Sequence, residues 1–260
     1  MQVPDKVVVY AADVGKPKNL GWARREADKR SVGQGPQALA QAMASDAKAG
    51  LSIAIGFESP LFLPVAKNPE KLLNSRCGEG RRPWSAGAGP TATSSGVVAM
   101  IWVFRKFAEL LERQPIVYTE WNSFAQAETG HRLFVWEAFV SGRQQDAIDV
   151  LGERPTGGRK WVVKKEHHLF FDKADALTAV NAFVDRLGQA TDVKTPPDAT
   201  AVSLVYTVIA WLCWSTEQVQ LDSAPLVRKE NKPNWDAVPQ LLESAGEKMT
   251  IALKECFTPK

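Results

Sequence analysis

The first strong pattern along the chain is an unbroken apolar run at residues 7–12, opened by three valines. A short run that is apolar at every position predicts a central strand buried on both faces. Residues 20–25 predict its hairpin partner, with Gly15, Pro17 and Asn19 supplying turn chemistry between the two. The polar stretch 24–32 has room for a short third strand. Residues 36–48 are Ala-rich with Leu39 and Met43 at helical spacing; Pro36 suits a first turn and Gly50 a stop. A second apolar run, within residues 51–60, ends in Glu58 and is broken by Pro60. Residues 59–95 read as a long loop. Residues 96–113 predict an amphipathic helix, with Val97, Ile101, Phe104 and Leu111 on one face and Arg105, Lys106, Glu109 and Glu112 on the other. Ser94 or Ser95 is a candidate cap.

Further on, residues 116–121 and 133–140 predict strands, 144–151 a short helix, 152–158 a turn-rich insertion and 159–166 a strand or linker. Residues 172–187 predict a helix, with Ala176, Val180, Phe183 and Leu187 three to four residues apart, and the paired prolines beyond it end that helix. The longest apolar run, 201–214, predicts a buried helix, since it is shorter than the roughly 20 residues a membrane span needs. A short strand within 224–234 and a helix within 235–257 close the chain. Hairpin strands first, then helices and strands in alternation, predict an α/β sandwich with a mixed sheet. No internal repeat or obvious linker splits it, so a single domain over 1–260 is expected, with a loop insertion at 59–95 and a helical extension at 200–260.

Composition adds little to this. The chain is 45% hydrophobic and 23% charged, with a mean hydropathy of −0.21, which fits a globular core and excludes disorder as the general state. A net charge of +3 permits contact with nucleic acid without pointing to it, because a dedicated binder shows a marked basic stripe. Cys77, Cys213 and Cys256 have neither zinc-site spacing nor the pattern of a disulfide framework. The N-terminal residues lack the basic and apolar regions of a signal peptide, so a cytoplasmic protein with no membrane partner is expected. Of the nine tryptophans, Trp102, Trp211 and Trp214 sit in apolar segments and are expected in the core.

The acids at element ends carry the candidate chemistry. Asp13 closes the first strand, Glu58 closes the strand after the first helix, and Asp172 and Asp175 open the helix at 172–187. Positions three apart share one side of a helix. If that helix packs on the sheet, its first turn comes near a strand tip, and carboxylates remote in sequence converge. Such a cluster suits phosphoryl transfer assisted by two divalent cations about 3.5–4 Å apart, because magnesium prefers hard oxygen donors. Each acid also has a plainer reading: Asp13 as a turn residue, Glu58 as a solvated residue before a proline, Asp175 as a partner of the helix dipole and Asp172 as an N-cap.

Four segments, "YAADVGKPKNLGWA", "IAIGFESPLFLPV", "VWEAFVSG" and "DKADALTAVNAF", together resemble the ribonuclease-H-like superfamily of nucleases, resolvases and transposases. They are most similar to its poorly characterised group of predicted ribonuclease-H-like nucleases. The resemblance spans residues 7–187. It implies a ribonuclease-H-like mixed β-sheet flanked by α-helices, and Mg2+- or Mn2+-dependent cleavage of phosphodiester bonds in nucleic acid, DNA or RNA. It further implies that Asp13 bridges both ions, that Glu58 and Asp175 hold one each, and that Asp172 is a second-choice ligand. Glu58 stands where many of that group carry Asp, although resolvases use Glu there, and residues 143–168 exceed a resolvase-like connection. A catalytically inactive module of the same fold, acting by binding alone, is the alternative. An actin-like nucleotide-binding fold is a third possibility, set lower because no duplicated half is visible.

Other residues are candidates in their own right. Arg76, Arg81, Arg82 and Trp84 lie in the long loop, where guanidinium and indole groups could grip phosphate and stack a base; the alternative is a solvated loop packed by one Trp. Glu120 and Glu137 lie in apolar strands, where burying an unpaired carboxylate is costly, although strand alternation can turn either to solvent; Glu137 is the preferred site candidate of the two. His168, with His167 beside it, precedes the acidic helix and is a candidate general acid or water-orienting group. His131 is expected to be structural.

Overall fold

The computed structural model describes residues 6–14, 20–79, 83–127, 131–140, 165–185, 191–214, 219 and 223–229. The chain divides into two compact units, Met1–Lys229 and Glu230–Lys260, and every described element belongs to the first. The expected helices within 144–151 and 235–257, and the insertion at 152–158, lie outside the described residues.

The apolar run at the N-terminus forms β1 (Val7–Asp13), whose first six residues are all buried. It is central because it pairs on both edges. On one side it is antiparallel to β2 (Gly21–Glu26), which is followed by the antiparallel edge strand β3 (Lys29–Gln34). On the other it is parallel to β4 (Ser52–Phe57). The chain crosses from β3 to β4 through α1 (Pro36–Lys48), which has its proline in the first turn and is followed by Gly50 at φ 87°.

Beyond β4 lies β7 (Arg132–Val140), parallel to it, and two strands share the far edge of β7. The three residues of β6 (Ile116–Tyr118) pair with its N-terminal part, and β10 (Ser223–Lys229) pairs with its C-terminal part, both parallel. Strand β8 (Thr191–Lys194) closes that side, antiparallel to β10. Among the described residues the main sheet thus has eight strands, in the order β3-β2-β1-β4-β7-β10-β8 with β6 beside β7. It is a mixed sheet in an α/β fold, as the strand pattern predicts.

Strand alternation sends side chains into two cores. Val8, Tyr10 and Ala12 of β1, with Ile53, Ile55 and Phe57 of β4, face α1 and α2 (Gly89–Leu111). Val7, Val9 and Ala11, with Ala54, Phe134 and Trp136, face α4 (Lys165–Asp185). On the first side, Asp46 of α1 accepts hydrogen bonds from Tyr10 and from Arg24 Nε (2.7 Å) and Nη2 (2.8 Å), which joins the helix to β1 and β2. Burial, then the Asp46 carboxylate, pushes the Tyr10 phenol well above its ordinary value, so it stays protonated. On the second side, Trp136 stacks on Phe183 of α4 at 4.5 Å. Its indole crosses Gly56 on the neighbouring strand, where an added Cβ would lie 2.5 Å from the ring. Gly56→Ala is therefore expected to destabilise the protein by about 1–3 kcal/mol through overpacking; a urea midpoint equal to wild type would show that the ring yields.

Several expectations change. Residues 59–95 are not a plain loop: they contain β5 (Phe62–Ala66), a 3-10 turn at Pro69–Lys71, and the first turns of α2, which starts at Gly89. Ser94 and Ser95 are interior to that helix, so neither caps it. The run at 201–214 is not one helix. Its start belongs to β9 (Ala199–Ser203), antiparallel to β5 in a separate two-stranded sheet, and only then does α5 (Leu204–Trp211) begin, with Ser203 Oγ accepting from Tyr206 N–H at 3.1 Å. The expected helical extension at 200–260 thus holds two strands, β9 and β10, in its described part. Trp214 is in the core, stacked on Phe104 at 6.0 Å, and Trp102 is partly buried, but Trp211 is 57% exposed. Among the described residues, no helix is long and apolar enough to cross a membrane.

Residues 116–121 also divide, into β6 and α3 (Trp121–Gln126). Glu120 is the N-cap of α3, accepting from Asn122 N–H at 2.8 Å and Ser123 N–H at 2.5 Å. Partial burial would push its carboxyl up, but the bonds from Ser123 and Asn122 outweigh this and hold it below the usual glutamate value. A lowered folded-state value means the cap contributes above the unfolded value and is lost as pH falls through the folded one. Glu120→Ala is expected to cost about 1 kcal/mol at pH 7, with the gap to wild type closing in strongly acidic buffer. Urea melts across pH check it, and a pH-independent gap would contradict the cap's ionic character.

Candidate active site

Two strand tips and one helix build the candidate site. Asp13 is the last residue of β1 and follows Ala11 on the face toward α4. Glu58 follows the last residue of β4, and its N–H donates to the carbonyl of Ala12 at 3.0 Å, which sets the two strand ends side by side. Asp175 sits on α4, which packs across β2, β1, β7 and β10. Arg25 Nη1 donates to Asn181 Oδ1 at 3.1 Å and lies 3.6 Å from Asp185, which fixes the helix over β2.

These elements meet at a small, shallow cleft open to solvent, lined by Ala11, Ala12, Asp13, Glu58, Ala138, Asp175, Ala176 and Ala179. Every lining residue other than the three acids is alanine. The sheet supplies Ala11, Ala12 and Ala138; the helix supplies Ala176 and Ala179. With no side chain larger than a methyl between them, α4 comes close to the sheet beside the carboxylates. All three acids are half-buried. The carboxylates line one cleft without being drawn into a ligand set: among the described residues, no group of three or more His, Cys, Asp or Glu side chains is arranged to hold a metal ion.

The helix begins at Lys165, seven positions earlier than 172, so Asp172 and Asp175 do not open it. Asp172 and His168 fall on its backbone one and two turns before Asp175, and their side chains lie outside the described residues. Asp172 therefore has an interior helical position, not that of an N-cap.

Arg76 and Glu137 lie in the loop and the strand expected of them, but both are turned into the protein interior. Glu137 faces away from the cleft, into the opposite core, and both its side chain and that of Arg76 are 0% exposed. Arg76 grips Glu137 with two parallel bonds, Nη1 to Oε1 at 2.6 Å and Nη2 to Oε2 at 2.9 Å. Glu79 Oε1 accepts from Arg76 Nε at 3.0 Å and Nη2 at 2.9 Å, and the guanidinium lies 4.8 Å from the Phe62 ring centre. Burial alone would make Arg76 easier to deprotonate; Glu137 and Glu79 more than reverse this and keep it charged. Glu137 lies above the ordinary carboxylate value because complete burial outweighs the opposing pull of Arg76. Arg76 is thus a core residue, unavailable to a phosphate backbone.

Trp84 belongs to the same cluster. Its N–H donates to Glu79 Oε1 at 2.8 Å and its half-buried indole N–H to the Asn74 carbonyl at 3.2 Å, so it fastens the loop. Arg81 and Arg82 lie outside the described residues. The alanines of the cleft were not expected as site residues. Their signal was the strand period, which puts Ala11 on the face of Asp13.

Comparison of the chain with protein-family models, with curated proteins and with solved structures finds no match.

Proposed function

We propose that the protein is a metal-dependent nuclease that hydrolyses phosphodiester bonds at the cleft between β1, β4 and α4. The observation that carries this reading is the shared cleft: Asp13, Glu58 and Asp175, which are 45 and 117 residues apart along the chain, line one small depression. Their donors are all carboxylate oxygens, which suits Mg2+ or Mn2+ better than a soft-ligand metal such as zinc. Holding a cation would require the three carboxylates to turn toward a common point.

Asp13, Glu58 and Asp175 would hold the cations through their carboxylate oxygens. When bound, divalent cations would supply an activated water and neutralise charge on the transferring phosphoryl group. The residues' own part would be to fix the cation positions from two strand ends and one helix.

The decisive experiment incubates the purified protein with labelled single- and double-stranded DNA, RNA and hybrids, in manganese or in chelator, with Asp13→Asn alongside. Cleavage in manganese that disappears in chelator and in the variant is the expected result. Cleavage that survives the substitution would assign the activity elsewhere. Manganese binding without cleavage would favour a binding module on the same fold.

A further inference from the structure

We propose that the buried Glu137–Arg76 pair is a positioning device for Glu58, acting through the main chain of the turn that carries it. The proposal rests on the reading of Asp13, Glu58 and Asp175 as a cation site.

Between the end of β4 and the start of β5 the chain has only Glu58, Ser59, Pro60 and Leu61 in which to turn. That turn is held at both ends and in the middle. At its start, Glu58 N–H donates to Ala12 on β1, and Ser59 N–H folds back onto the Phe57 carbonyl at 2.7 Å. In the middle, fully buried Ser59 lies under Gly96 of α2, where any Cβ would collide with the serine side chain. At its end, Leu61 N–H donates to Glu137 Oε1 at 2.7 Å, and the next carbonyl, Phe62, accepts from Arg76 Nη1 at 3.3 Å. The pair therefore grasps two successive residues, three and four positions after Glu58.

Arg76 is itself placed. Its N–H donates to Glu79 Oε2 at 2.9 Å, and the adjacent Cys77 exchanges two 3.0 Å backbone bonds with Lys194 of β8. The Leu61 carbonyl accepts from Leu204 N–H at 2.8 Å, so the anchored residue also sets the start of α5. Glu137 and the cleft lie on opposite faces of the sheet, yet the next residue of β7, Ala138, lines the cleft. One strand thus carries the anchor on one face and a wall of the site on the other.

Stability alone does not call for such a pair. A buried ion pair replaced by apolar side chains of similar volume is often neutral or stabilising. What apolar side chains cannot replace is a fixed acceptor for the Leu61 N–H, together with a fixed donor to the Phe62 carbonyl. Outer groups that orient metal ligands typically change metal affinity 10–100-fold when removed.

The test uses the full chain and two variants, Glu137→Gln, which keeps a carbonyl acceptor for Leu61, and the apolar double variant Arg76→Met/Glu137→Leu. Mn2+ affinity is measured by calorimetric titration, and amide exchange at Glu58, Leu61 and Ile55 by NMR. The double variant is expected to fold, to bind Mn2+ about 10-fold or more weakly, and to exchange its Glu58 amide about 10-fold or more faster while Ile55 is unchanged. Glu137→Gln is expected to stay close to wild type in both readouts. A folded double variant with wild-type Mn2+ affinity and wild-type Glu58 protection overturns the proposal. The wild-type protein gives a check that needs no variant: Leu61 and Glu58 should exchange as slowly as Ile55, and a freely exchanging Leu61 also overturns it. A wild type that takes up no Mn2+ defeats the cation reading instead, and the amide rates separate that failure from failure of the anchor.

Discussion

Asp13→Asn is expected to lower Mn2+ affinity about 100-fold or more, beyond the range for removing an outer group. The substitution is nearly isosteric and sits at the last position of β1, so the strand's pairing with β2 and β4 is untouched. It removes one of three negative charges lining a single cleft. Like charges crowded together raise the free energy of the folded state, and a cation entering between them offsets this. In the variant the cation loses one of the charges that attract it. At a free Mn2+ concentration 100 times the dissociation constant, wild type should gain about 2.7 kcal/mol; the variant at that concentration should gain less than about 0.5 kcal/mol. Thermal melts with chelator and with Mn2+ read both quantities at once. A variant that melts lower than wild type in chelator, yet responds equally to Mn2+, would show Asp13 to be a structural turn residue.

How much of this could be seen in the sequence depended on how local its cause was. β1, β2, α1 and β4 were legible because each is announced by its own residues: an apolar run, turn residues, a proline at a helix start, a glycine past its end. β9 was not, because an apolar run containing Val202, Val205 and Val208 fits a strand or a buried helix equally well. What decided it was pairing with β5, more than a hundred residues away and itself hidden in a segment that looked like loop. The early start of α2 was missed because its first turns are small and polar, with no apolar stripe to mark them, although Pro90 stood in the right place. In the cleft, Asp13 and Glu58 stood out as the first charged residues after apolar runs, and the period of the strand put Asp13 and Ala11 on one face. The pairing of Arg76 with Glu137 spans 61 residues, so the local pattern around either residue does not announce the other. The missing step was physical: a glutamate in the middle of an apolar strand requires a cation nearby, and an arginine three residues before a glutamate, in a loop that must pack somewhere, is a suitable source.

Arg76→Ala is expected to be the most damaging single substitution for stability, at about 3–5 kcal/mol near pH 8. The variant leaves Glu137 wholly buried with Leu61 N–H as its remaining partner and takes from Glu79 its guanidinium contacts. The loss should depend on pH. Glu137 already lies above the ordinary carboxylate value through burial, and Arg76 is the largest influence opposing that rise. Without Arg76 the folded-state value climbs further, while the unfolded value stays near about 4.3. A carboxyl whose folded value is raised takes up a proton more readily folded than unfolded, so the variant recovers stability as pH falls through that raised value. The gap to wild type should therefore be widest at pH 8 and narrow steadily toward pH 5. Urea denaturation of both proteins at pH 8, 7, 6 and 5 measures it. A gap that is the same at pH 5 and pH 8 would mean that Glu137 does not carry its charge into the core, and the two parallel bonds to Arg76 would then be those of a neutral acid.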